Sequence, residues 1–513
     1  MKIKIIGVDD PLILKEFAVI NQSFFDEWEF VLEHKKPLYT RKNPEYLSIE
    51  FEEMTDNSKH IFLDITYKGY QLSKSEIYVK GQNKDYFNNF KQMRRNLYLQ
   101  QYHSILTEYT GFAPSWGLLN GMRPNKLVHS MKKKALDDHL IREEFQEKYI
   151  VNDQKIDLLL NVADHQLKII PDLYHLEKEV SIYIGIPFCP TRCAYCTFPS
   201  YPVEPNKKWV DPFLNALLAE IEIIGRYLKQ KNISVTSIYI GGGTATTLEV
   251  EQLRKILKVL YAEIATDIEV REITVEAGRP DTITREKLEL LKEFRINRIS
   301  INPQSFNQET LDRIGRYHSV DDVIEKFKMA KQVGIKNINM DLIVGLPGEG
   351  IDELAYSLAQ IKKLQPESLT VHMLAFKRKS GINNERELYT VAKKDVLVEM
   401  AQMTYEFAKQ EEYLPYYLYR QKNMAGNLEN IGYAKAGNES NYNILMMEEA
   451  QNILGLGTGA SSKFLIGESV HNPKDLRTYI ENYVDYAKKK LELLELSMKI
   501  DAKSFTYNPS ADD

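Results

Sequence analysis

The feature that most limits how this chain can fold begins at Val180, where short apolar runs of strand length start to alternate with longer amphipathic segments. Six such runs follow: Ser181 to Pro187, Val235 to Gly241, Ile273 to Ala277, Arg298 to Asn302, Asn337 to Val344 and Ser368 to Leu374. The segments between them, such as Trp209 to Leu228, Leu248 to Ile264 and Val320 to Val333, are long enough to cross back over a sheet as helices. This is the pattern of βα units around a parallel sheet. Six units fall short of the eight that close a (β/α) barrel, so the expected fold is α/β, a partial (β/α)6 barrel whose opening leaves a cleft for a large substrate.

At 513 residues the chain exceeds one ordinary core. Residues 1–175 read as an α+β domain, with strands at Lys2 to Ile6, Tyr46 to Phe51, His60 to Tyr67 and Ser75 to Val79, then helix from Tyr86 to Tyr109 and again from Lys126. Residues 176–383 form the partial barrel. Residues 384–513 read as a mostly helical domain, with helix at Tyr389 to Glu411, a Tyr- and Gly-rich stretch, a charged helix ending near Ile500 and a polar tail. Lys132 to Lys134 and Lys488 to Lys490 read as solvated helix faces, and Arg123, in a turn-rich tract from Trp116 to Pro124, as a structural cation.

Charge excludes one class of partner. The net charge is -5 with both signs mixed along the chain, which provides no broad basic field for nucleic acid. No run approaches the roughly 20 apolar residues of a membrane span, and the first residues lack an apolar run of signal-peptide length. The expectation is a cytoplasmic protein that engages no membrane.

The only three cysteines are Cys189, Cys193 and Cys196, on the loop that follows the first barrel strand. Such crowding rules out a disulfide framework and fits thiolates acting as metal ligands in a reducing compartment. A [4Fe-4S] cluster normally takes four thiolates, so three leave one iron open to another ligand. A structural zinc site is the competing reading. It needs a fourth ligand, and the nearest histidines, His165 and His175, precede the strand instead of closing the loop.

The spacing CxxxCxxC after the first strand of a partial barrel resembles the radical S-adenosylmethionine (SAM) superfamily. The resemblance implies a [4Fe-4S] cluster on the three cysteines and SAM chelated to the open iron. One electron passed to the sulfonium would then give methionine and a 5'-deoxyadenosyl radical that takes hydrogen from the substrate. With no further cysteine for a second cluster, the electron is expected from an external flavodoxin or ferredoxin.

A series of motifs is similar to the oxygen-independent coproporphyrinogen III oxidase group: Tyr183 to Cys189 for YxHIPFC, Glu276 after the third strand, Arg298 to Phe306 for RISxGVQSF, Gly315-Arg316, and Asp341 to Gly348 for DLIxGLPG. By this resemblance the SAM contacts are Tyr183, Tyr195, Gly242, Gly243, Thr244, Glu276, Gln304, Arg316, Asp341 and Ala375. Tyr195 and Ala375 fall beside the adenine, and Gly242 to Thr244 beside the methionine part. Glu276, Gln304 and Asp341 serve the amino group and ribose hydroxyls, and Arg316 the carboxylate. The tracts Trp116 to Pro124 and Tyr416 to Asn427 resemble the HemZ-type coproporphyrinogen dehydrogenases, which implies a tetrapyrrole substrate, coproporphyrinogen III, decarboxylated to protoporphyrinogen IX. Lys377 to Lys379 and the tyrosines from Tyr416 onward are candidate walls for such a macrocycle. Three departures leave the substrate open: Gly185 stands for the motif histidine, Ala245 for a proline, and Phe198 where the oxidases carry a further cysteine. A haem-transfer chaperone and another radical modification of a tetrapyrrole are the alternatives.

Overall fold

The structure is a computed structural model describing residues 2–6, 8–25, 28–33, 46–55, 61–67, 70–72, 90–119, 123–265, 270–375, 381–384, 389–421 and 428–499. It divides into two compact units, one of Met1–Gly121 with Lys134–Leu160, the other of Met122–Lys133 with Asn161–Asp513.

The first unit carries β1 (Lys2–Ile6), β2 (Glu29–Glu33), β3 (Tyr46–Thr55), β4 (Ile61–Tyr67) and β5 (Tyr70–Leu72). They form a sheet of order β2-β1-β3-β4-β5. A helix, Pro11–Phe24, intervenes where the sequence reading had only strands. Its start is signalled by Asp10, whose side chain accepts from the Leu12 N–H, and by Pro11 at the first helical position. Phe17 stacks on Tyr102 at 4.0 Å, and the Tyr102 hydroxyl donates to Asn21. The expected strand at Ser75 to Val79 lies outside the described residues.

In the second unit, β6 (Val180–Ile186) runs into a two-residue pair, β7 (Phe188–Cys189) with β8 (Tyr201–Pro202). The other barrel strands are β9 (Val235–Gly242), β10 (Glu272–Glu276), β11 (Arg298–Ser300), β12 (Asn337–Val344) and β13 (Ser368–Met373). Strands β6, β9, β10, β11, β12 and β13 lie side by side in that order, all parallel, within a few residues of the expected positions. β6 is buried along nearly its whole length, as a strand covered on both faces must be.

The crossover helices carry their own start and stop signals. In Val320–Val333, Ser319 and Asp322 form a capping box, Gly334 closes the helix at φ 98, and Val323, Phe327 and Ala330 repeat at helical spacing on the buried face.

The region after residue 383 differs from the expectation of a separate domain. It supplies the helices Lys394–Gln410, Asn441–Glu448 and Leu476–Met498, and it also extends the barrel sheet at both edges. On one side β15 (Asn430–Ala434) pairs antiparallel with β13 and with β14 (Leu414–Tyr419). On the other side β16 (Asn452–Gly457) pairs parallel with β6, followed by β17 (Ser461–Lys463) and β18 (Ser469–His471). The two edge strands of a six-stranded open sheet carry unpaired backbone groups, and these additions satisfy them. For that reason no compact-unit boundary falls near 383; the boundary before the barrel falls between Leu160 and Asn161.

Lys490 is a correction to the solvated-face reading, because it is completely buried and paired with the equally buried Glu220 at 2.5 Å. Glu220 also accepts from Tyr479 and from the Gly457 N–H, and Lys490 donates to the Gly455 carbonyl. One carboxylate thus fastens the helices Val210–Lys231 and Leu476–Met498 to β16. Arg123 and Lys126 both pair with Glu449, which bears out the structural reading of Arg123.

Candidate functional site

A parallel sheet places the carboxyl ends of its strands on one face, and there the loops after β6, β9, β10, β11, β12 and β13 surround a cavity of about 500 Å³. Every residue expected at the site lines it: Cys189, Cys193 and Cys196; Tyr183 and Tyr195; Gly242, Gly243 and Thr244; Glu276, Gln304, Arg316, Asp341 and Ala375. Lys377 to Lys379 and Lys422 lie outside the described residues. Of the tyrosine tract, Tyr417 and Tyr419 line the cavity, whereas Tyr416 packs in the hydrophobic core.

The cysteine loop is held from several directions. Thr191 donates to the Gly315 carbonyl at 3.0 Å, and the Ala194 N–H donates to the Ile314 carbonyl. Cys189 and Cys193 are buried and Cys196 is partly so. Burial pushes the Cys189 thiol up to about 12, against a contact with the Thr244 hydroxyl at 3.5 Å and reinforced by the neighbouring Cys196 and Cys193; burial also raises Cys196. Burial thus disfavours the thiolate of Cys189 and Cys196, and a bound metal would supply the compensating charge.

The glycine loop is closed against the strand that leads to the cysteines. The N–H groups of Gly243 and Thr244 are spent on the carbonyls of Ile186 and Phe188, at 2.7 and 2.8 Å. A Cβ on Gly243 would lie 2.6 Å from the Phe188 oxygen, so glycine is needed there for the loop to close against the strand leading to the cysteines.

Around the rest of the cavity the polar groups are organised in pairs. Tyr239 donates to Glu276 at 3.2 Å. Burial, then the charge of Asp341, raise the Glu276 carboxyl to about 7. Burial acts to raise Asp341 as well, but a hydrogen bond and charge from His372, a bond from Asn339 and the charge of Arg298 hold it below the usual carboxylate range. His372 approaches Asp341 at 3.6 Å and Tyr419 at 3.2 Å through its two ring nitrogens. Gln304 adopts φ 67, a strained conformation for a non-glycine residue, and its N–H and carbonyl bridge to Asp341 and Ile343 of β12. Arg316 gives one Nη to the carbonyls of Gly278 and Asn302 and the other to the Tyr195 hydroxyl.

Among the described residues, buried side-chain atoms without a partner include Arg316 Nε, Arg298 Nε and Asn302 Oδ1, all from residues lining this cavity. Such orphans are costly unless a polar ligand satisfies them. No group of three His, Cys, Asp or Glu side chains among the described residues is already drawn together around a metal-sized point. The three thiols still share one short loop on the cavity wall, beside polar atoms that lack partners, and this donor set fits an iron-sulfur cluster with a polar cofactor next to it.

Sequence reasoning missed Tyr239, Tyr442, Arg279, Arg298 and His372, which also line the cavity. Strand alternation carried part of the signal. Tyr183 and Tyr239 are cross-strand partners, and their rings stack at 6.2 Å, with Tyr442 4.9 Å from Tyr239. Thr370 and His372, two apart on β13, share a face of the strand. Tyr442 arrives on a later helix, and no local pattern connects it to the barrel.

The sequence model of the Radical SAM superfamily matches residues 183–361. The oxygen-independent coproporphyrinogen-III oxidase-like protein HemZ of Bacillus subtilis is 42% identical over 500 residues, covering 96% of this chain and 98% of that protein. The heme chaperone HemW of the same organism is 33% identical over 304 residues, 59% of this chain and 75% of its own. The solved structure of coproporphyrinogen III oxidase (HemN) from Escherichia coli, described as a radical SAM enzyme, shares the fold at a TM-score of 0.50 and 23% identity, covering 63% of this chain and 73% of that one. No helix among the described residues is long and apolar enough to cross a membrane. With motifs, fold and relatives in agreement, this chain belongs to the radical SAM superfamily, in the HemZ-like group of oxygen-independent coproporphyrinogen III oxidase relatives, whose cofactors are a [4Fe-4S] cluster and SAM.

Proposed function

We propose that the chain catalyses the oxidative decarboxylation of coproporphyrinogen III to protoporphyrinogen IX in anaerobic haem biosynthesis. The observation that carries this reading is the convergence of the cysteine loop and the polar ends of the barrel strands on one cavity, in a chain related along nearly its full length to an oxidase-like protein. Cys189, Cys193 and Cys196 would hold the cluster. Tyr195, Gly242, Gly243, Thr244, Glu276, Gln304, Arg316, Asp341 and Ala375 would hold SAM, with Tyr183 in the aromatic wall behind them. The cluster and SAM, held by these residues, would supply a one-electron chemistry that takes hydrogen from a substrate C–H bond.

The chain's own residues bind, orient and exclude water. A carboxyl near 7 at Glu276 takes on charge when an ammonium group arrives, so it favours a cationic ligand over an anionic one. The stacked Tyr183, Tyr239 and Tyr442 give one side of the cavity an aromatic, apolar lining suited to a planar ring. A flavodoxin or ferredoxin is the proposed electron donor.

The test is anaerobic turnover with reductant, SAM and coproporphyrinogen III. Stepwise loss of two CO2 with matching 5'-deoxyadenosine is expected, and neither product should form with Cys193→Ala, which should also lose the four irons of the reconstituted protein. Absence of both products from the unaltered protein overturns the reading.

A haem-transfer chaperone is the second reading, favoured by Phe198. This residue is 59% exposed at the cavity and stands where the oxidases carry a further cysteine. Stoichiometric haem binding and transfer to an acceptor, without substrate-dependent SAM consumption, would select it. A gain in substrate mass instead of a loss would point to another radical modification of a tetrapyrrole.

A further inference from the structure

We propose that Arg279 sets the reduction potential of the cluster by placing a buried positive charge against Cys193. This rests on the assignment of Cys193 as a cluster ligand.

Arg279 stands three residues beyond Glu276, past the end of β10, and its side chain is only 3% exposed. The guanidinium is fixed on two edges. Its Nε and Nη2 donate to the two carboxylate oxygens of Asp281 at 3.0 and 2.9 Å, a fork that orients the whole plane. The remaining Nη1 donates to the Thr191 hydroxyl at 2.9 Å and reaches the Cys193 sulfur at 3.9 Å. The side chain therefore lies across the cysteine loop with one N–H edge turned to a sulfur.

An electron added to a cluster is stabilised by positive charge and N–H donors near its sulfurs, and more strongly where water is excluded. Asp281 offsets part of that charge, but at 28% side-chain exposure it is better screened by solvent than the arginine is. The net field at Cys193 favours the reduced state. Arg316 also acts on Cys193 through its charge, but its Nη groups bond two carbonyls and Tyr195, and Arg298 bonds Ser368, so among the cavity arginines Arg279 is the one with an N–H turned to the sulfur. A purely structural role, tying the loop to β10, is the competing account. It predicts changes in stability and in iron loading, and none in the potential of the protein that does load.

The measurement is a potentiometric titration of the reconstituted protein followed by electron paramagnetic resonance of the reduced cluster, normalised to bound iron. Arg279→Gln should shift the one-electron equilibrium about tenfold toward the oxidised form, which is about 59 mV. Arg279→Lys, which keeps the charge, should lie between it and the unaltered protein. Asp281→Asn removes the opposing carboxylate and should move the equilibrium the other way. Opposite signs at 279 and 281 support the proposal. Unchanged potentials in iron-loaded Arg279→Gln and Asp281→Asn overturn it, as does a shift of the same sign in both. Should Arg279→Gln not take up iron, Arg279→Lys decides: a loaded variant at the unaltered potential overturns the proposal. Retention of four irons in Cys193→Ala would instead overturn the ligand assignment, so the two failures are distinguishable.

Discussion

Glu276 joins the chemistry of the cavity to its stability. Its carboxyl titrates near 7 in the folded, ligand-free chain against 4.5 for an ordinary glutamate. Because the folded value is the higher one, the folded state keeps a proton that the unfolded chain has released. The stability this confers is complete below pH 4.5 and is lost as pH rises through about 7, an effect of about 3 kcal/mol. Glu276→Gln removes that slope. Urea unfolding of the ligand-free protein should show the variant gaining relative to the unaltered chain between pH 5 and pH 7.5, and parallel pH profiles would contradict the burial argument. At this scale the site was largely legible from sequence, since motif residues at strand ends need only the strands to be right. His372 and Arg279 were hidden because their significance comes from partners at distant positions, Asp341 and Tyr419 for one, Thr191 and Cys193 for the other.

At the level of elements, the barrel strands could be read because each is a short apolar run between amphipathic helices, a pattern that sequence displays directly. The edge additions could not. β15 and β16 fall in a region read as mostly helical, and their attachment to opposite edges of one sheet is set by pairing across more than fifty residues in the first case and across most of the unit in the second. Lys490 was misread for a related reason. Its charge suggested solvent, and only the fold brings Glu220 to it. Removing one member of a buried pair leaves the other uncompensated, so Lys490→Met should cost about 3 kcal/mol in denaturant unfolding. Adding Glu220→Gln should recover part of the loss. A cost below about 1 kcal/mol for the single variant would mean that Tyr479, Asn472 and the Gly457 N–H satisfy the carboxylate without the lysine.

For the whole molecule, the cluster strand depends on the far end of the chain. β6 is flanked by β9 on one side and by β16 on the other, so a chain ending at Ala450 leaves one edge of β6 bare. Such a truncation should fail to incorporate iron and should aggregate, as measured by iron content and sedimentation, even though every cysteine and motif residue remains. Within the β6–β16 pairing, Gly185 faces Gly457 in register. A Cβ on Gly185 would meet the Thr458 oxygen at 3.2 Å, and one on Gly457 would meet the Gly185 oxygen at 2.3 Å. A side chain at 185 therefore needs the Thr458 carbonyl to give by a few tenths of an ångström, whereas one at 457, at φ 87, has no room against the Gly185 carbonyl, so this seam tolerates change on the cysteine strand better than on its partner.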